Sequence, residues 1–453
     1  MHLGTGAFHK AHQAVYTDTL LNLSPGNWMI TAASLRSPAV RDALAPQDYL
    51  YSVWAKDEPP RVIGAIKQIL FACESPAALI AAMAAPETHI ISLTITEKGY
   101  YRSGATGDLL HGDPDIVADL ASPETPVTAL GFLGAALRRR RAIDQGVSIL
   151  SCDNLPGNGT ATRKVVLAYC EQLQPGLGQW VADRVSFPST MVDRIVPAMT
   201  EGTRAEIAAE VGMRDEAGVV TEPFSQWVIE DDFVCGRPEW DQAGALFTDD
   251  VSRFEQMKLR LLNGAHSAIA YLGHLGGFTY VSECMADTHF ASWLVRLMDQ
   301  EVLPTIEAPE GYSLREYSAR LRQRFCNQHL EHRCLQIAMD GSQKLPQRQL
   351  NTARARLAKG LPVDALALAI GAWMIFVTGE NLRRIPHEVQ DPLASELLQL
   401  AVPHIGDADS LVKSLLGFRP VFGEDLQHQP DFVKQLTNAV DQLYKHGVAG
   451  ALR

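Results

Sequence analysis

Short apolar runs rich in β-branched residues alternate with helical stretches through the first half of the chain, the pattern of a parallel sheet covered by helices. The runs that predict strands are Trp28 to Ala33, Val62 to Leu70, His89 to Thr96 and Val147 to Ser151, with turns rich in glycine and proline between them. From about Val251 the apolar spacing becomes helical, and it predicts helices over Phe254 to Leu272, Ala365 to Thr378 and Phe432 to Tyr444 with few strand-like runs. The expectation is an α/β domain over residues 1–248 and a mostly helical domain over 249–453, with the boundary near Thr248, Asp249 and Asp250.

A length of 453 residues also exceeds a single core and favours two or three domains. With 46% hydrophobic and 20% charged residues, neither a disordered nor a membrane class is indicated. No apolar run is long enough to span a bilayer, and the opening Met1-His2-Leu3-Gly4 has no basic segment before an apolar core, so no secretory signal is expected. A formal charge of -12 argues against nucleic acid or an anionic membrane as the main partner. The run Arg138 to Arg141 reads as the solvated end of a helix. Seven cysteines lie far apart without a CxxC pair, which predicts neither a disulfide framework nor structural zinc and suits a reducing cytoplasm.

Four segments carry candidate chemistry. Gly4-Thr5-Gly6-Ala7-Phe8-His9 can be a strand end, a glycine turn and a helix start, which lets backbone approach a pyrophosphate; His9 replaces the third glycine, and a plain structural turn stays open. Only His2 and Leu3 precede this turn, whereas a central strand needs roughly five residues, so the chain is expected to start late in its first strand. Asn154, beyond the strand Val147 to Ser151, is either an amide donor to a substrate oxygen or a turn asparagine. On a helix of about 100° per residue, Glu255, His266 and Asn263 lie at roughly 60°, 80° and 140° from Lys258, beside Leu259, Leu262 and Ile269. An amine in apolar surroundings is pushed towards roughly pKa 7 to 8 and can act as a general base; a snorkelling lysine is the alternative. Lys344 and Arg348 can hold a carboxylate or hydroxyls, or sit in a solvated loop. His329, Glu331 and His332 lack an evident further ligand, so no metal is expected there.

Together these segments resemble the polyol-specific long-chain dehydrogenases, the group of mannitol 2-dehydrogenase and fructuronate reductase (mannonate oxidoreductase). The likeness spans almost the whole chain and rests on GTGAFHKAHQ at 4–13, SLTITEKGY at 92–100, SCDNLPGNG at 151–159, FPSTMVDRIVP at 187–197, EPFSQWVIEDDF at 222–233, KLRLLNGAH at 258–266 and DGSQKLPQR at 340–348. The resemblance implies a Rossmann-type N-terminal domain that takes its cofactor at Gly4, Gly6 and Phe8, a helical C-terminal domain, and a substrate cleft between them. It implies Lys258 as acid/base, Asn154 and Asn263 on the reacting oxygen, His266 and Lys344 on substrate, Asp193 near the site and Glu255 gating proton passage. The two asparagines would then do what zinc does in other alcohol dehydrogenases, and no metal is required.

The implied function is NAD(P)-dependent interconversion of a linear sugar alcohol or hexonate with its keto form. SLTITEKGY and EPFSQWVIEDDF are closer to the fructuronate reductase branch, hence D-mannonate and D-fructuronate; mannitol and fructose are the alternative. NAD is the expected cofactor. After the second strand, however, Ser34-Leu35-Arg36-Ser37-Pro38 lacks the acidic residue that accepts from a ribose 2'-hydroxyl, and Arg36 suits a 2'-phosphate, which leaves NADP open. A reading of another class is a non-catalytic sugar-binding or regulatory protein on the same fold; the presence of Lys258, Asn263 and Asn154 argues against it.

Overall fold

Strands that bury side chains on both faces build the first of two units, Met1–Ser252, around a parallel sheet. The computed structural model describes residues 1–56, 58–104 and 106–453. Its strands, among the described residues, are β1 (His2–Leu3), β2 (Ile30–Ser34), β3 (Tyr51–Ala55), β4 (Arg61–Ile63), β5 (Ile66–Phe71), β6 (Ile90–Leu93), β7 (Val147–Ser151), β8 (Val185–Ser186), β9 (Thr190–Asp193), β10 (Val219–Thr221), β11 (Gln226–Glu230) and β12 (Leu246–Thr248). Six form one sheet in the order β5-β2-β1-β6-β7-β8, all parallel. That order, with β1 central and the winding reversing between β1 and β6, is the doubly wound arrangement of dinucleotide-binding folds.

Alternation along the strands sets the layers. Ile91, Leu93 and Ile149 enter one core with Leu79, Ile80 and Met83 of helix Pro76–Ala84, Phe132 and Leu133 of helix Ala129–Ala142, and Val165 and Tyr169 of helix Asn158–Leu173. Ile90 and Leu150 point the other way, onto Tyr16 and Leu20 of helix Gln13–Leu23 and onto Val192, Trp227 and Ile229. The last three belong to the small sheet β12-β11-β9, and a second small sheet runs β10-β3-β4.

Several expectations need correction. The run Val62 to Leu70 is two strands: β4 pairs antiparallel with β3, and β5 lies on the edge of the parallel sheet, the change of sheet falling at Gly64, whose N–H donates to Asp18 Oδ1 at 2.8 Å. The strand foreseen to Thr96 stops at Leu93, because the N–H groups of Ile95 and Thr96 turn onto the Asp153 carboxylate, each at 3.0 Å. Within the arginine run, Arg138 and Arg139 pair with Glu124, but Arg140 is buried and donates to the carbonyls of Ala85, Thr88 and Gly146. Of the cysteines, Cys284 and Cys334 are neighbours in space, their Sγ atoms 4.0 Å apart as free thiols.

The second unit, Arg253–Arg453, contains helices and no strand among its described residues. Helix Asp364–Phe376 is buried on every side after its first residue and packs between helices Gly264–Gly276 and Pro430–Ala451. Its N-terminus is closed by the buried Glu301, whose carboxylate accepts from Ala365 N at 2.8 Å and Leu366 N at 2.9 Å. Three stretches of π-helix, Lys258–Asn263, Arg296–Val302 and Pro346–Leu350, interrupt the α-helical runs.

Candidate active site

In the first unit the glycine turn follows β1 directly. Gly4 has φ of +95°, and a Cβ there would stand 2.0 Å from the Thr94 carbonyl oxygen, so the position accepts glycine alone. Gly4 N–H donates to Ala33 O at 3.0 Å, and Gly6 caps helix Ala7–Ala11 without a side chain of its own. A turn with glycine on either side of Thr5, whose hydroxyl is turned onto Ala33 O, at the carboxyl end of a central strand and next to the reversal of strand order, fits a dinucleotide pyrophosphate. Phe8 stacks on His12 with ring centroids 4.9 Å apart, and Arg36 is exposed just past β2. His9, at the site of the missing third glycine, stacks on His2 at 3.5 Å; burial lowers its pKa to about 3, which keeps the stacked pair neutral.

Asn154 is exposed in the turn after β7. Asp153 accepts from Ile95 N and Thr96 N, and from Tyr100 Oη at 2.7 Å, tying this turn to the segment after β6. Burial nevertheless raises the Asp153 pKa above the usual carboxylate value, with those hydrogen bonds opposing the shift. Asn158 Nδ2 donates to Ser151 O at 3.1 Å, Asp153 O at 3.1 Å and Thr190 O at 2.9 Å, and its Oδ1 accepts from Thr190 N at 2.9 Å. One amide thus joins the turn to β9, whose last residue is the buried Asp193. Asp153, Tyr100 and Asn158 were not singled out by the sequence reading; all three lie inside the quoted motifs, but polar residues inside a motif do not show whether they touch ligand or hold the loop.

In the second unit Lys258 opens the π-helical stretch and is 7% exposed. The turn is wider than the 100° wheel assumes: Gly264 N–H bonds back to Leu259 O, five residues earlier, which narrows the angle between Lys258 and Asn263. Glu255 sits half-buried one turn before Lys258, and His266 follows on the α-helical run with 8% exposure. The segment foreseen as a possible loop, 340–348, is helical: Gly341–Leu345 leads into the π-turn Pro346–Leu350. That turn packs on the first, since Arg348 Nη1 donates to Ser267 Oγ at 2.9 Å and Asn263 O at 3.5 Å, and Gln349 Nε2 donates to Gly264 O at 3.3 Å. Gly264 permits the approach, because a Cβ there would be 3.0 Å from Arg348 O.

The unit therefore sets Lys258 and Asn263 on one π-turn and Arg348 on a second packed against it, with His266 on the α-helical run that follows the first. Lys344 is one turn further back, its ammonium on the carbonyls of Met339 at 2.5 Å and Ile337 at 3.4 Å. His266 has its pKa held well below the ordinary imidazole value, first by burial and then by the fields of His332, Arg324 and Arg348. No group of three or more His, Cys, Asp or Glu side chains placed to hold a metal occurs among the described residues, and the His332 and His266 rings stand perpendicular with centroids 4.8 Å apart. Another buried lysine, Lys10, donates to Ala217 O at 2.6 Å beside the Tyr51 ring, which marks it as structural.

Comparison with known proteins covers both units. The family model described as the mannitol dehydrogenase Rossmann domain matches residues 1–242, and that of the mannitol dehydrogenase C-terminal domain matches 250–444. The chain is 45% identical to the Escherichia coli uncharacterized oxidoreductase YdfI, over 99% of this chain and 93% of that protein. It is 42% identical to Escherichia coli D-mannonate oxidoreductase, with the same two coverages of 99% and 93%. Among solved structures, the Pseudomonas fluorescens mannitol 2-dehydrogenase ternary complex with NAD and D-mannitol superposes with a TM-score of 0.87 at 39% identity, covering 100% of this chain and 92% of that one.

Proposed function

The chain belongs to the mannitol dehydrogenase family, and on that premise we propose that it is an NAD-dependent oxidoreductase interconverting D-mannonate with D-fructuronate. The observation that carries the reading is the π-turn that sets a buried amine, Lys258, and a carboxamide, Asn263, towards one face with His266 on the following run. The glycine turn at Gly4 and Gly6, with Phe8, would hold the cofactor, whose nicotinamide would supply the hydride acceptor. Arg36, exposed past β2, leaves NADP as a second acceptor to assay beside NAD.

In oxidation the neutral Lys258 amine takes the proton of the secondary hydroxyl as the carbon gives up its hydride. Asn154 and Asn263 donate amide hydrogens to the oxygen as negative charge grows there. Glu255 passes the proton from Lys258 outward, while His266, Lys344, Arg348 and Asp193 orient the substrate. In reduction the Lys258 ammonium returns the proton. D-mannitol is the second candidate substrate, favoured by the likeness to the structure that holds it.

Nicotinamide absorbance recorded with mannonate, mannitol, altronate and arabinitol in turn tests the reading. Mannonate is expected to give the highest kcat/KM, and Lys258→Ala to abolish turnover while NAD affinity stays near wild type. Activity of that variant within about tenfold of wild type would remove Lys258 from the chemistry.

A further inference from the structure

Asn154 is the middle residue of a three-residue turn, closed by Leu155 N donating to Asp153 O at 2.8 Å. Leu155 is buried in the core, and Asp153 is held through its carboxylate, so the residues on both sides of Asn154 are fixed. The plane of the peptide joining Asp153 to Asn154 aims the side chain that follows it. The Asp153 carbonyl lies in that plane and takes a second donor, Asn158 Nδ2 at 3.1 Å.

Asn158 is placed to hold that carbonyl still. It is buried and opens helix Asn158–Leu173, after Gly157 with φ of +55°. Its Oδ1 accepts from Thr190 N at 2.9 Å, which assigns the orientation of the amide and leaves both Nδ2 hydrogens for the carbonyls of Asp153, Ser151 at 3.1 Å and Thr190 at 2.9 Å. The helix start is packed on the segment before β9, since a Cβ on Gly159 would stand 2.3 Å from Phe187 O and 2.7 Å from Ser189 N. Ser151 O is also met by Thr190 Oγ1 at 2.6 Å, and Asp153 O by Leu155 N. Loss of the Asn158 amide therefore leaves neither of those carbonyls without a donor; what it removes is the tie between the Asp153–Asn154 peptide and the first residue of β9.

We propose that Asn158 is a positioning residue for alcohol oxidation: by holding the Asp153–Asn154 peptide on Thr190, it sets the direction in which the Asn154 carboxamide meets the reacting oxygen. The inference rests on the reading of Asn154 as a donor to that oxygen, and its effect falls on turnover rather than on the glycine turn that takes the cofactor. A double-mutant cycle over wild type, Asn154→Ala, Asn158→Ala and the pair tests it, with whichever of mannonate and mannitol the wild type oxidises faster. Asn158→Ala should lower kcat by about tenfold with NADH affinity, read by fluorescence, within about twofold of wild type; once Asn154 is alanine, the same change should lower kcat by less than about twofold. Asn158→Asp keeps the shape and the acceptor for Thr190 N but loses both donor hydrogens, so it should repeat the pattern and replaces the alanine variant if that one does not fold. A merely structural residue would cost the same factor in both backgrounds. Equal factors, a folded Asn158 variant with unchanged kcat, or failure of both variants to fold would overturn the inference and leave the Asn154 reading standing. An Asn154→Ala enzyme as active as wild type, or a wild type that oxidises neither substrate, would overturn that reading and the inference with it.

Discussion

Asp153 shows how one side chain sets the position of another. Its carboxylate gathers two backbone N–H groups and the Tyr100 hydroxyl, and the residue beside it is Asn154. Replacing it by asparagine exchanges an acceptor for a group that must place an NH2 against donors, which costs about 1–3 kcal/mol for the unmet pair. Asp153→Asn is therefore expected to lower the thermal midpoint and to reduce kcat by about tenfold or more, while Lys258 remains in place; unchanged kcat in a stable variant would show that Asn154 needs no such support. The sequence offered Asn154 only as one of two readings, and resemblance decided between them. It could not offer the contact of His332 with His266, because 66 positions separate the two and the packing that brings them together, the pairing of 279–281 with 332–334 included, leaves no mark on local pattern.

At the scale of elements, strands buried on both faces were legible where the apolar run was short and bounded, as at Val147–Ser151. They were misread where a run crossed between sheets, as at Gly64, since hydrophobic pattern does not say which sheet a strand joins. The π-turns were illegible for a different reason: Lys258–Asn263 has an ordinary helical composition, and the widening appears in the bond from Gly264 to Leu259. Gly264→Ala tests whether the two apposed turns need their close approach. Alanine gains about 1 kcal/mol in helix propensity, but its Cβ would meet Arg348 O at 3.0 Å, and such overpacking costs about 1–3 kcal/mol. The expected result is a modest net loss of stability with a several-fold fall in kcat; a stabilised, fully active variant would show that the approach is incidental.

For the whole molecule, buried histidines set the response to acid. Burial lowers His9 to about 3 and His274 and His332 to about 4, and it moves His2 and His266 in the same direction. Each ring stays neutral in the folded protein while the unfolded chain takes up protons below its ordinary value of about 6.5. Folding stability is thus fully present above about pH 6.5 and falls as the pH drops towards the folded values, by up to about 2 kcal/mol per deeply buried histidine at pH 5. Denaturant midpoints measured between pH 7.5 and pH 5 should decline steadily; a flat profile over that interval would mean the rings are hydrated. The division into an α/β half and a helical half shows in periodicity, whereas this acid response depends on which polar residues become enclosed, and periodicity does not report that.

The two-residue strand β1 has a consequence for how the protein is made. It finds its neighbours about thirty and ninety positions downstream, at Ala32 and Ser92, so its place between β2 and β6 exists only once both have been made. The glycine turn hangs from it, so nucleotide affinity cannot precede the synthesis of β6, and a nascent chain stalled before residue 93 would possess the glycines but no cradle.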